Sequence, residues 1–218
     1  MLYGKYKNVR NSAWQALLDF NVTKLPVSVN GIAKQLGIKV IKNSDIHELQ
    51  NEERGATILK NEHWYIVFDD TESVPVCRFT VAHEIGHILL GHILVSGTKY
   101  RTFSKRDEEE QEADMFAARL LAPACVLHEL QATTAEQIAE VCNISITSAS
   151  YRAERMQVLE ARNKYYLHPF ERKVREQFDS FIKEKNRSHR VPVGESGNHY
   201  NGCNDIKINW SFIFIIIP

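Results

Sequence analysis

The stretch His83-Glu84-Ile85-Gly86-His87 reads H-E-x-x-H within a segment of helical apolar spacing. Histidines four residues apart lie on one face of a helix, so both imidazole rings can reach a single metal ion. The glutamate beside the first histidine then stands next to that metal, where it can accept a proton from water. These five residues therefore predict two metal ligands and the general base of a metal-dependent hydrolase.

A third protein ligand is needed, because catalytic zinc has three protein ligands and keeps one position open for water. An acidic run downstream begins a helix that is predicted to end at Pro123, and its members are Asp107, Glu108, Glu109, Glu110, Glu112 and Asp114. Helical spacing puts Glu110 and Asp114 on the face that carries small alanines, which would let this helix approach the first one closely. Glu110 is the predicted ligand, and Asp114 is the predicted partner that orients a ligating imidazole.

The remaining acidic residues and a third histidine receive different predictions. Glu108 and Glu112 fall on the face that is interpreted as the solvent side, whereas helical geometry alone leaves Glu109 open as a ligand. On a continued helix His92 falls opposite His83, and it is predicted to be a structural residue at the helix end. No motif singles out an oxyanion-stabilising side chain, and the candidates are Tyr100, His128 and Tyr151.

These motifs together resemble the ImmA/IrrE-type metallopeptidases, a family of the gluzincin group. The resemblance covers about residues 9–165, and the stretches that carry it are Leu25-Pro26-Val27, residues 32–38, residues 78–82, the H-E-x-x-H motif, Leu90-Gly91-His92, residues 110–114 and residues 116–123. In gluzincins the third ligand is the first glutamate of an E-x-x-x-D-like motif, which matches Glu110 and Asp114. The chain differs at Ala122, where family members often have methionine, and this position is not catalytic.

The resemblance implies a zinc metallopeptidase that cleaves a protein substrate, namely a helix-turn-helix repressor encoded nearby that controls a mobile element or a stress response. Zinc is favoured at one ion per chain, and imidazole and carboxylate ligands also admit manganese or iron. An extended substrate segment would add to the sheet as a strand, and the predicted acceptor is Trp64-Tyr65-Ile66-Val67-Phe68 because it leads toward the metal helix. The rival interpretation is a DNA- or partner-binding regulator whose metal site is structural or inactive.

Apolar periodicity predicts an α+β fold that contains the metal helix and a small sheet of about three strands, and the resemblance implies that these form a zincin-like core. The predicted helices and strands of this core lie at residues 7–20, 31–36 and 76–92 and at residues 38–41, 56–59 and 64–68, respectively. Residues 93–106 are predicted to form a loop beside the metal site. The predicted division is a metallopeptidase domain at residues 1–125, a helical region at 126–190 and an irregular tail at 191–218.

The C-terminal part is predicted to be helical. Thr134 and Gln137 form a capping-box start, and Ser145 can cap a second helix after a turn at Asn143. The spacing fits a helix-turn-helix, but no basic recognition face is present, so a plain hairpin packed on the core is the favoured interpretation. Residues 151–190 hold eleven Lys and Arg against six Asp and Glu. This basic stretch is predicted to be a solvated helix after Pro169 rather than a nucleic-acid-binding surface.

Bulk composition excludes few functions. The 218 residues have a formal net charge of +0, which does not require a nucleic-acid or membrane partner. The four cysteines show no C-x-x-C spacing, so neither a disulfide framework nor a structural zinc site is predicted for Cys77, Cys125, Cys142 and Cys203. A cytoplasmic protein is predicted, because the N-terminus lacks the apolar run of a secretory signal and the apolar end at residues 210–218 is too short to span a bilayer.

Overall fold

The computed structural model describes residues 3–92, 99–101 and 108–188. The elements of this part of the chain are α1 (Tyr3–Asp19), α2 (Val29–Gln35), β1 (Lys39–Lys42), α3 (Asn43–Ile46), β2 (Gly55–Lys60), β3 (His63–Phe68), α4 (Val74–Leu90), β4 (Lys99–Arg101), α5 (Glu108–Leu121), α6 (Ala124–Glu129), α7 (Ala135–Cys142), α8 (Ile146–Ala161), α9 (Pro169–Gln177) and α10 (Asp179–Ser188). The predicted tail at residues 191–218 and most of the predicted loop at residues 93–106 lie outside the described residues.

The four described strands form one sheet in the order β1-β3-β2-β4. Strands β2 and β3 are an antiparallel hairpin, and the turn residues Asn61 and Glu62 both have left-handed backbones with φ of 50° and 63°. Strand β1 pairs in parallel with β3, and β4 pairs antiparallel with β2. The mixed α+β class is confirmed, and the sheet gains a fourth strand from the stretch that was predicted to be a loop.

The predicted substrate-accepting strand, Trp64 to Phe68, is wrong. This segment belongs to β3, which has paired neighbours on both sides: Tyr65 stands opposite Lys39 of β1 and opposite Ile58 of β2. The backbone donors and acceptors of an interior strand are already engaged, so no further strand can add to β3.

Helix α4 carries the H-E-x-x-H motif and contacts α5 as well as strands β2 and β3. Its middle turn packs closely on α5, where an added Cβ at Gly86 would lie 3.0 Å from Cδ1 of Phe116 and 3.4 Å from Cα of Ala113. Both of these α5 residues are fully buried. The close approach that the small alanines predicted is confirmed, and it sets the distance between the two helices that bear the metal-site residues.

Replacing Gly86 with valine should lower the free energy of unfolding by about 1–3 kcal/mol, because the added methyl groups overpack the contact with Phe116. Chemical denaturation followed by circular dichroism measures this change. The control is Glu140→Val on α7, which places the same β-branched residue at an exposed helical position. Equal destabilisation by the two substitutions would show that the packing of α4 on α5 does not need a glycine.

Helices α7 and α8 have the local features expected from their sequence. Thr134 and Gln137 form the capping box of α7, Asn143 ends that helix with a left-handed φ of 51°, and Ser145 caps α8. In the turn between these helices, the backbone carbonyl of Asn143 accepts a hydrogen bond of 3.1 Å from Nε of Arg78, a residue of α4. The turn between the two helices is therefore hydrogen-bonded to the metal helix, while the interpretation of the pair as a helix-turn-helix stays a prediction.

The basic stretch after His168 forms two helices, α9 and α10, where a single helix was predicted. They are separated at Phe178, which caps the C-terminus of α9. Val174, Phe178 and Phe181 are buried and belong to the core cluster that includes Val9 of α1, so one side of this stretch packs against the rest of the fold. The predicted domain boundaries stay a prediction. None of the described helices is both long enough and apolar enough to cross a lipid bilayer.

Candidate metal centre

Three donor groups converge between α4 and α5. Nε2 of His83 lies 3.2 Å from one carboxylate oxygen of Glu110, and Nε2 of His87 lies 3.3 Å from the other. The two Nε2 atoms are 3.0 Å apart, and all three ligand atoms fall within 4.8 Å of one another. Two imidazoles and a carboxylate are a donor set that suits a divalent ion such as zinc. Among the described residues, the predicted ligands thus form a group able to hold a metal ion.

Asp114 lies where the predicted outer partner of a ligand should lie. Its Oδ1 is 2.9 Å from Nδ1 of His83, the ring nitrogen that is not directed at Glu110. An imidazole that donates from Nδ1 keeps its Nε2 lone pair available for a metal. The side chain of Asp114 is 51% exposed, so solvent screens this interaction. Glu109, which helical geometry had left open as a ligand, is outside the metal-capable group formed by the described residues.

The charges of the ligands are coupled. Burial lowers the pKa of His83, but hydrogen bonds to Asp114 and Glu110 outweigh burial and raise that pKa to about 10. Burial raises the pKa of Glu110, but hydrogen bonds from His83 and His87 outweigh it and lower that pKa to about 2. Both shifts arise because the site favours a positive charge held against carboxylates. The same arrangement favours a divalent cation.

Glu84 is positioned by strand β2. Its side chain is buried, with the residue 2% exposed, and Oγ1 of Thr57 donates a hydrogen bond of 2.6 Å to its Oε2. A Cβ at Gly55 would lie 2.5 Å from the side chain of Thr80 and 3.0 Å from Oε1 of Glu84, so the strand needs a glycine here to approach α4. Burial raises the pKa of Glu84, and the nearby His83 and Thr57 oppose this effect. A carboxylate with a raised pKa is suited to accept a proton and release it again.

Comparison with known families adds an independent observation. The sequence profile of the IrrE N-terminal-like domain, Peptidase_M78, matches residues 33–154, which is more than half of the chain. The chain belongs to this family. The part that matches the IrrE N-terminal-like domain includes His83, Glu84, His87 and Glu110 as well as Thr57, so it holds the whole candidate centre. No curated protein matches the chain in sequence.

Two predictions about neighbouring polar residues of this IrrE N-terminal-like domain need correction. Glu112 is not on the solvent side, because its side chain is 12% exposed and its Oε2 lies 3.1 Å from Nε2 of His92. His92 does complete the helix end, with its N–H donating to the carbonyl of His87 at 3.0 Å. Its ring, however, also contacts the His87 ring, with 3.0 Å between the two Nδ1 atoms. Burial lowers the pKa of His92, and the hydrogen bond to Glu112 opposes this effect.

The oxyanion candidates gain no support from the described side chains. Tyr100 lies in β4, and its side chain is outside the described part of the structure. His128 pairs with Glu160 at 3.2 Å and stacks on Tyr165, whereas Tyr151 is 59% exposed on α8. These contacts place neither residue at the ligands, and the oxyanion role stays a prediction.

Thr57 is a functional candidate that no motif indicated. Thr57→Val should lower kcat about 10–100-fold, the effect of losing one hydrogen bond to a charged group, with little change in zinc affinity. Valine keeps the volume of the side chain but cannot hold Glu84. Steady-state kinetics together with a zinc titration measures both quantities. Thr57→Ser retains the hydroxyl and is the control, and equal kcat values for the two variants would remove Thr57 from the centre.

Proposed function

We propose that this member of the IrrE N-terminal-like family is a zinc-dependent endopeptidase that cleaves a helix-turn-helix repressor and so controls the genes of a mobile element or a stress response. The observation that carries the proposal is the convergence of His83, His87 and Glu110 beside the buried carboxylate of Glu84. Family membership supports a metallopeptidase. The proposal adds the metal, the substrate and the regulatory role.

Each side chain of the centre has its own task in this chemistry. His83, His87 and Glu110 hold a divalent ion, which supplies Lewis-acid activation of water and of the peptide carbonyl. Glu84 accepts the proton of the attacking water and then donates it to the leaving amine. Thr57 restricts rotation of the Glu84 carboxylate through the 2.6 Å hydrogen bond to Oε2.

The same geometry favours hydrolysis over a purely structural metal site. A buried carboxylate is unfavourable unless it is paired or used, and Glu84 is not one of the three converging donors. The rival function, a DNA- or partner-binding regulator with an idle metal site, leaves Glu84 without a task. General base catalysis gives it one, and it also accounts for the hydroxyl of Thr57 at its side.

The substrate is proposed to bind as an extended segment that adds to the sheet as a further strand. This mode of binding requires a free sheet edge. Of the described strands, β1 and β4 are at the edges of the sheet. Strand β4 pairs directly with β2, which carries Thr57 opposite Tyr100. The outer edge of β4 therefore replaces β3 as the proposed acceptor. A folded repressor offers extended segments mainly in linkers, so the cut is expected in a linker or in a locally unfolded stretch.

The experiment is to mix the purified protein with zinc and a helix-turn-helix protein encoded by a neighbouring gene, and to map fragments by mass spectrometry. One discrete cut within a linker is expected, and Glu84→Gln should slow it about 10²–10⁴-fold. A cut that proceeds at the full rate in Glu84→Gln would exclude Glu84 as the general base. Absence of any cut, together with binding to duplex DNA that survives moderate salt, would favour the rival function, because nonspecific electrostatic binding is lost as salt rises.

A further inference from the structure

A third histidine reaches the metal centre from beyond the end of its helix. Helix α4 ends at Leu90, and its C-terminal cap is Gly91, whose left-handed backbone has φ 77° and ψ 23°. This conformation reverses the chain direction and is readily adopted by glycine. The ring of His92 thereby returns to the ring of His87, with 5.1 Å between the centroids and an interplanar angle of 70°. The two ring edges that face each other carry the Nδ1 atoms, which are 3.0 Å apart.

The second nitrogen of His92 is held by a buried acid. Nε2 of His92 lies 3.1 Å from Oε2 of Glu112, and the two side chains are 6% and 12% exposed. The other carboxylate oxygen of Glu112 is buried and has no hydrogen-bond partner within the described part of the chain. Burying a carboxylate in this way is unfavourable. Proteins retain such local violations mainly at functional sites, which points to a role for Glu112 beyond joining α5 to the end of α4.

The direction of the hydrogen bonds follows from the role of His87. A metal ligand uses the lone pair of Nε2, so the proton of the neutral ring is on Nδ1. This proton is donated to Nδ1 of His92, which must then carry its own proton on Nε2 and donate it to Glu112. With His87 neutral and ligating through Nε2, this arrangement of protons satisfies the contacts between Glu112, His92 and His87.

We propose that His92 and Glu112 are positioning residues of the metal centre, which fix the tautomer and the orientation of His87 through a hydrogen-bonded chain of two links. This inference rests on the proposed metal site. His83 has an orienting partner of a different kind, since Asp114 contacts it directly and is 51% exposed. Buried charges are screened less than exposed ones. Loss of the Glu112 charge should therefore weaken metal binding more than loss of the Asp114 charge.

The test is the zinc affinity of the folded apoprotein, measured by competition with a chromophoric chelator. His92→Phe and Glu112→Gln should each weaken zinc binding about 10–100-fold, the effect typical of partners that orient a ligand. Asp114→Asn should have a smaller effect than Glu112→Gln. His92→Gln should retain more affinity than His92→Phe, because an amide offers both an acceptor and a donor. The matched controls are His63→Phe and Glu140→Gln, which make the same changes at exposed positions. Their zinc affinity should remain within about twofold of that of the unmodified protein, well below the effect of losing an orienting partner.

Two further measurements separate positioning from a merely structural contact. The double variant His92→Phe/Glu112→Gln should bind zinc about as tightly as the single variant with the lower affinity. The effects of two substitutions in one hydrogen-bond network are not additive. With cobalt in place of zinc, the visible absorption spectrum of the variants should differ from that of the unmodified protein. Variants that melt at lower temperature but keep the affinity and the cobalt spectrum would overturn the inference. If the unmodified protein binds neither metal, the proposed function itself fails.

Discussion

Replacing Glu84 with glutamine should slow peptide hydrolysis about 10²–10⁴-fold, which is the usual contribution of a positioned acid or base. Glutamine has nearly the same shape and can still accept the hydrogen bond from Thr57, but it cannot take up a proton. Glu84 is also outside the group of converging ligands. The loss should therefore fall on kcat, while zinc content and the circular dichroism spectrum remain unchanged. Initial rates on the proposed repressor substrate, measured over a range of concentrations, give kcat and KM separately.

The control for this experiment is Glu72→Gln, a change of the same chemistry in the residues that precede α4. Glu72 forms an ion pair of 3.4 Å with Arg54, which is itself largely exposed, and such pairs contribute little to stability. Activity should remain near that of the unmodified protein. A Glu84→Gln variant that retains full activity would exclude Glu84 as the general base, and the hydrolytic mechanism would then need another proton acceptor.

Residues that only orient a metal ligand typically contribute about 10–100-fold to metal affinity. Glu110→Ala should weaken zinc binding by more than this, because it removes a donor atom from the centre. The carboxylate contacts both imidazoles, at 3.2 and 3.3 Å, and no other acid is in the metal-capable group of the described residues. His83 and His87 alone would then hold the ion. Metal analysis of dialysed protein and chelator competition measure the loss.

Glu109→Ala is the matched control for Glu110→Ala, since it removes the neighbouring carboxylate on the same helix. Its zinc affinity should stay close to that of the unmodified protein. If Glu109→Ala lost the metal while Glu110→Ala kept it, the rotation of α5 about its axis would be wrong, and the ligand group with it.

The parts of the centre that local periodicity controls could be predicted from the sequence. His83 and His87 are about one helical turn apart and Glu84 is next to His83, so their spacing alone places them together. Glu110 could be chosen because helix α5 has to turn its small alanines toward α4, which also brings its ligand face to the histidines. In both helices a short repeat determines which side chains share a face, and no distant contact is needed.

The parts that failed depend on chain reversal or on distant pairing. His92 was projected on a helix that continues through Gly91, whereas the left-handed glycine turns the chain back. Glu112 stands in an acidic helix start, where a solvated role is usual, and its burial depends on where His92 lies. Thr57 is in a strand without a motif, and the interior place of β3 follows from its parallel pairing with β1. Such contacts between distant segments leave no periodic signal in the sequence.

Because the imidazole donors belong to α4 and the carboxylate donor to α5, an ion bound by all three residues joins two segments that separate when the chain unfolds. Metal binding and folding are then thermodynamically linked. Each tenfold rise in free metal above the dissociation constant adds about 1.4 kcal/mol to the free energy of unfolding. Proteolytic turnover of such a protein follows the population of opened molecules. Metal supply would thereby set the abundance of the protein as well as its activity.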